Sequence, residues 1–142
     1  MKNKLTPFLL FTYLTLVFSA CAKNDADTEV NVAYRMIAEK NWFLEYAQTR
    51  ANGSTTTANY TGQSTYFVKF LKDKTTSDSD GFSGTYKIEK SGDQLQVAAN
   101  TKSSNGNANN YNYKVISLGE KKMILEFNKQ DSTLIYYFNS TR

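Results

Sequence analysis

The sequence predicts a mainly β domain, an antiparallel up-and-down meander of seven to eight strands closing into a small barrel behind one short N-terminal helix. Three observations predict it. From Asn41 onward apolar residues recur at every second position, the period of a half-buried strand. The links between these runs are tight or polar, and none is long enough for the crossover that a parallel sheet needs. A meander left open would also expose two edges, and closure removes both.

The helix is read at Val30 to Lys40, where Val30, Ala33, Tyr34 and Ile37 fall at i, i+3, i+4 and i+7 with polar residues opposite. It is short, so packing must hold it. Trp42, Leu44 and Tyr46 then alternate with Phe43, Glu45 and Ala47, a first strand that fades near Arg50. Ala51 to Gln63 is polar, contains two glycines and reads as a loop. Tyr66, Val68 and Phe70 mark a second strand, and Asp73 to Gly81 a second polar connection. Phe82, Gly84, Tyr86 and Ile88 alternate with polar residues and lead through the turn Ser91-Gly92 into Leu95, Val97 and Ala99. Asn100 to Asn110 is again a loop. Tyr111, Tyr113 and Val115 follow, but Ile116 and Leu118 sit on the opposite parity, which predicts a bulge at Val115-Ile116. Turns at Gly119-Glu120 and Lys129-Gln130-Asp131 frame Met123, Leu125 and Phe127, and then Leu134, Tyr136 and Phe138. In a meander of these seven strands, the Asp73–Gly81 and Asn100–Asn110 loops share one end. Ala51–Gln63 falls at the other end, with Ser91-Gly92.

The start of the chain carries an address. Lys2 and Lys4 precede a mostly apolar run from Leu5 to Phe18, and small residues lead to Cys21, the one cysteine. That is the layout of a secretory signal peptide, and the run is short for a membrane span, which needs about 20 residues. With cysteine directly after the cut, Leu16-Val17-Phe18-Ser19-Ala20-Cys21 resembles the lipobox of bacterial lipoproteins. The resemblance implies residues 1–20 as signal peptide, Cys21 as the acylated N-terminus, and residues 21–29 as a flexible tether to a domain over residues 30–142. It places the protein in the cell envelope, lipid-anchored at the outer membrane on its periplasmic or surface face.

Removing Lys2 and Lys4 leaves 15 basic residues against 13 acidic ones. The remaining lysines are interleaved with acids and form no basic stripe, so nucleic acid is not an expected partner. The length from residue 30 onward suits one core and one domain, expected to be a monomer.

The short helix leading into Asn41-Trp42-Phe43-Leu44, then Phe70-Leu71-Lys72-Asp73, Gly84-Thr85-Tyr86-Lys87-Ile88 and Gln94-Leu95-Gln96-Val97, with two closing aliphatic-aromatic strands, resembles the lipocalin-like domains of small lipoproteins of Gram-negative bacteria. The resemblance covers about Val30 to Phe138 and implies a small calycin-like barrel. That family carries Gly-x-Trp at its first strand. Here Glu39 precedes Lys40-Asn41-Trp42, and Asn41, tolerant of a left-handed backbone, is expected to stand in for the glycine.

Catalysis is not expected. The chain has no histidine, which removes Ser-His-Asp, Cys-His and imidazole-metal arrangements. The one thiol is assigned to lipid, and Glu45, Glu89 and Glu126 lie opposite the apolar face of their strands. Asp78, Asp80 and Gly81 match part of a calcium loop, but Lys87 falls where a bidentate glutamate is needed, so the segment reads as an Asp-rich turn. No metal or cofactor is expected. The aromatic residues carry the binding signal. Trp42, Tyr46, Tyr66, Phe70, Tyr86, Tyr111, Tyr113 and Tyr136 all take the interior parity, where they either fill a narrow barrel or line a cavity for a small apolar or amphipathic ligand. Buried tyrosine hydroxyls need partners, which favours the cavity. The alternative is a structural or interaction lipoprotein with a solid barrel, meeting a protein or glycan partner, a hydrolase to be inhibited among them. It draws on the outward apolar residues Phe67, Leu71, Ile116, Ile124, Ile135 and Tyr137.

Overall fold

The computed structural model describes residues 28–62 and 65–141. The expected signal peptide, Cys21 and the tether before residue 28 lie outside the described residues. Helix α1 covers residues 28–37, and nine strands follow: β1 (Lys40–Ala51), β2 (Ser54–Asn59), β3 (Phe67–Phe70), β4 (Thr75–Asp78), β5 (Ser83–Ser91), β6 (Gln94–Lys102), β7 (Ala108–Leu118), β8 (Lys122–Lys129) and β9 (Ser132–Asn139).

Eight of them, β1 and β3 to β9, form a closed antiparallel barrel. Each pairs with the next, and β9 returns to β1 through a register that runs from Phe43↔Asn139 to Ala51↔Ser132. The expected meander and its closure are therefore present. β2 is an extra strand. It folds back on the second half of β1, and all six of its residues are exposed.

Two strands lie where polar loops were expected. β2 occupies part of Ala51–Gln63, and its turn is Asn52-Gly53 with φ of 49° and 74°, the paired left-handed conformation that joins two-residue hairpins. β4 crosses the barrel inside Asp73–Gly81. It is made of Thr-Thr-Ser-Asp, and its inward Thr76 is 3 % exposed, satisfied by donating its hydroxyl to the Lys69 carbonyl at 2.9 Å. β4 also changes which loops meet. The connections 52–53, 79–82 and 103–107, with residues 60–62 and 65–66, share one end of the barrel, the mouth, while 71–74, 92–93 and 119–121 lie at the other. The described part of that expected loop, residues 51–62, thus joins the mouth rather than the Ser91-Gly92 turn.

The bulge expected near Val115-Ile116 is present as a register shift between Val115 and Ser117. It leaves Ile116 47 % exposed and returns Leu118 to the interior. A second bulge, between Leu44 and Tyr46, was not expected. It turns the second half of β1 over, so Tyr46 lies beside Tyr137 on the outer face, the rings stacked at 4.0 Å.

Helix α1 closes the end opposite the mouth. It begins two residues before Val30 and stops at Ile37, because Glu39 takes φ of 63°. The left-handed residue is therefore Glu39 and not Asn41, which pairs with Lys69 within β1 and β3. The Glu39 amide donates to the Phe70 carbonyl, and its carboxylate accepts from the Lys72 amide. Tyr34 accepts from the Ile88 amide at 2.8 Å, and Glu29 pairs with Lys90 at 2.7 Å. Ala33 and Ile37 join Trp42, Phe70, Tyr86, Ile88, Val97, Val115, Met123 and Leu125 in one core. The barrel is filled from the helix end upward, and its packing thins only toward the mouth.

Candidate functional site

The eight aromatic candidates separate by height in the barrel. Trp42, Phe70 and Tyr86 are 0 %, 2 % and 3 % exposed. Trp42 donates its indole N–H to the Ile37 carbonyl at 2.8 Å. The Tyr86 ring packs edge-on against Phe70 and tilts against Tyr34, and its hydroxyl donates to the Leu71 carbonyl at 2.9 Å. These three form the packed floor, although Phe70 also reaches the deepest part of the void above it. Tyr46 is outside, for the reason given above. Tyr66, Tyr111, Tyr113 and Tyr136 come together at the mouth.

There they line a cleft of about 250 Å³ with Leu44, Phe82, Phe138, Asn109, Asp78 and Asp80. A smaller void of about 50 Å³ continues below it toward Phe70 and Thr76, room for a few waters. One wall is a continuous aromatic surface. Tyr111 and Tyr113 stack at 5.3 Å, Phe127 meets both rings at 5.7 and 5.8 Å, and Tyr136 stands edge-on to Tyr113 at 6.3 Å. Phe127 packs against this wall from the neighbouring strand β8.

The opposite wall carries a carboxylate that sequence parity did not place. Asp78 pairs with Val68 in β4, so it faces inward as Val68 does. Its Oδ1 accepts from the Asp80 and Phe82 amides and builds the turn with Gly81 at φ of 84°, as expected of an Asp-rich turn. Its Oδ2 accepts from the Tyr66 hydroxyl at 3.4 Å. Among the described residues, no partner is found for the hydroxyls of Tyr111, Tyr113 or Tyr136, and no cluster suited to a metal ion occurs.

Sequence reading missed Asp78 and Asp80 as lining residues because β4 carries no apolar alternation that reveals which way it faces. Its inward positions, Thr76 and Asp78, are both polar. The only available signal was the β-branched pair Thr75-Thr76 between two turn formers.

Burial raises the hydroxyl pKa of every mouth tyrosine. In Tyr66 the charges of Asp78 and Asp80 add to it; in Tyr113 the neighbouring Tyr111, Tyr66 and Tyr136 do. Tyr86 is pushed up to about 12 by burial first, with Tyr34, Asp73 and Glu39 contributing. An unfolded tyrosine ionises near pH 10. Between pH 10 and 12 the unfolded chain therefore loses protons that the barrel keeps, and stability falls as pH rises. The contribution is fully present below pH 10 and, for Tyr86, is gone above its folded value. Chemical denaturation followed across this range, beside tyrosinate absorbance, should show the midpoint dropping steeply. A flat midpoint from pH 10 to 12 contradicts the assignment.

Comparison with protein-family models, curated proteins and solved structures yields no match to this chain.

Proposed function

We propose that this chain is a lipid-anchored envelope lipoprotein of lipocalin-like type, without enzymatic activity, whose barrel mouth binds a small apolar or amphipathic molecule. The observation that carries the binding half is the 250 Å³ cleft with its aromatic wall and three tyrosine hydroxyls lacking described partners. Ligand sites combine apolar lining with a few convergent polar groups in this way, and typical ones begin at about 300 Å³. The occupant is therefore small, or inserts only its end. The Cys21 pattern supports the anchor. The first described residues, 28–37, form α1 at the closed end, so in this reading the floor faces the membrane and the mouth faces away from it.

Native mass spectrometry of the protein extracted from its own envelope tests both halves. The expected result is an acylated Cys21 and a co-purified small molecule. Tyr113→Phe, which keeps the ring and removes one hydroxyl, should weaken retention severalfold. Cys21→Ala should leave the chain uncleaved and unacylated. If processing and tethering survive that change, the anchor is wrong. If no small molecule accompanies the protein under any gentle extraction, the binding half is wrong.

The interaction reading keeps one specific support. β2 is wholly exposed and pairs along one edge only, which leaves a free strand edge among the described residues. The outward apolar set supports it less. Ile135 is only 4 % exposed, Phe67 packs on Phe43, Tyr137 stacks on Tyr46, and of the six only Ile116 is largely open.

A further inference from the structure

The mouth has a sign as well as a shape. The whole chain carries a formal net charge of +4, yet the residues lining the cleft include two carboxylates, Asp78 and Asp80, and no lysine or arginine. Asp78 is the inward one. Its Oδ1 is occupied by two backbone amides of the turn, and its Oδ2 is met only by the Tyr66 hydroxyl at a long 3.4 Å. The described ion pairs, Lys87–Glu89 and Lys90–Glu29, do not involve either aspartate. A carboxylate that faces the cleft with no protein cation beside it offers a counter-charge to a ligand cation. The facing wall works in the same direction. Tyr111, Tyr113 and Tyr136 line that wall, and the face of an aromatic ring carries negative charge density that attracts an ammonium group within about 6 Å. The hydroxyls of these tyrosines and Asn109 can accept from its N–H donors.

We infer that the ligand of the mouth is a cationic amphiphile, an amine on a small apolar or aromatic body, with its ammonium group between Asp78 and the tyrosine wall. This rests on the reading of the mouth as a small-molecule site and adds the charge of the occupant. An anion of the same shape would meet two carboxylates and the aromatic wall and should be rejected. The raised pKa values of Tyr66 and Tyr113, to which Asp78 contributes, agree with a negative potential in the cleft.

Three soluble probes with one body separate charge from shape: phenethylammonium, the uncharged 2-phenylethanol and phenylacetate. Each is titrated into the full chain isolated from its envelope, with binding read from tyrosine fluorescence and from NMR shifts of the mouth tyrosines. The ammonium probe should bind about tenfold tighter than the alcohol, and the carboxylate weakest. Asp78→Asn keeps the Oδ1 acceptor that builds the turn and removes the charge. It should bring the ammonium probe down to the level of the alcohol. Should that variant lose its fold, Asp80→Asn removes the second charge and should weaken the ammonium probe alone, by about threefold. If ammonium and alcohol bind equally and neither aspartate matters, the charge assignment is overturned while the mouth remains a site. If none of the three binds, the mouth reading falls and the charge assignment falls with it.

Discussion

Trp42→Ala is expected to remove about 3–5 kcal/mol of stability, measured by urea denaturation followed by circular dichroism. The reasons add up at one place in the barrel floor. Trp42 is fully buried, and it lies where β1 begins, against the end of α1. Truncation leaves a void the size of an indole, enclosed by the closed barrel and the helix, so it cannot collapse cheaply. It also strips the Ile37 carbonyl, the last of the helix, of the donor it has at 2.8 Å. The Lys40 ammonium, 5.5 Å over the ring and bonded to the Glu120 carbonyl at 2.8 Å, loses its platform as well. Trp42→Phe separates these effects. It keeps much of the packing and orphans the carbonyl, so it should cost about 1–3 kcal/mol. Domains of this size hold about 5–15 kcal/mol in all, so the alanine variant should be close to unfolding at ordinary temperature. A loss under about 1 kcal/mol would mean that the helix does not depend on this ring for its seat.

The same tryptophan shows what the sequence could and could not reveal. Its inward parity was readable from the period-two spacing of its strand, as was that of Phe70, Tyr86, Tyr111, Tyr113 and Tyr136; polar neighbours on both sides sharpen it only for Tyr86, Tyr111 and Tyr113. Height was not readable. Whether an inward ring fills the floor or lines the mouth depends on strand register and tilt, which no single strand encodes. Trp42 and Tyr86 therefore became core, while Tyr66, Tyr111, Tyr113 and Tyr136 became the wall of a cleft.

The strands that sequence reading missed have a common cause. β2 is Ser-Thr-Thr-Thr-Ala-Asn and β4 is Thr-Thr-Ser-Asp, so neither shows a hydrophobic contrast. β2 has no buried face at all, and β4 buries a threonine whose hydroxyl is satisfied by backbone. Bulges divide in a similar way. The one at Val115 to Ser117 was legible because the apolar parity changes within a run. The one at Leu44 to Tyr46 was not, because Leu44 and Tyr46 keep an apolar period that the backbone breaks. The inward carboxylate at Asp78 follows from β4, whereas the meeting of its turn with the 103–107 loop was expected from the meander and is present. The part of the site that sets its charge was hidden by the strand that positions it.

Gly84→Ala is expected to cost about 3 kcal/mol or more and to damage the mouth before it unfolds the floor. Gly84 lies in β5 between Thr76 of β4 and Thr101 of β6. A methyl built on it would sit 1.9 Å from the Asn100 carbonyl oxygen and 2.8 Å from the Thr101 Cα. Both are backbone atoms, so no rotamer change relieves the contact and the two strands must separate. Gly84 is not among the left-handed residues, so the need is for space and not for an unusual φ. Gly53 is the useful contrast. Its added methyl meets nothing within 4 Å, and its φ of 74° alone makes Gly53→Ala a change of about 1 kcal/mol. Strand separation at Gly84 moves the start of β5, and with it the turn that Asp78 closes onto Phe82. The variant should therefore show a lowered melting temperature, shifted amides at Thr76 and Thr101, and loss of probe binding at temperatures where the fold persists. If Gly84→Ala melts like the parent and binds equally well, the close approach of β5 and β6 is not what shapes the mouth.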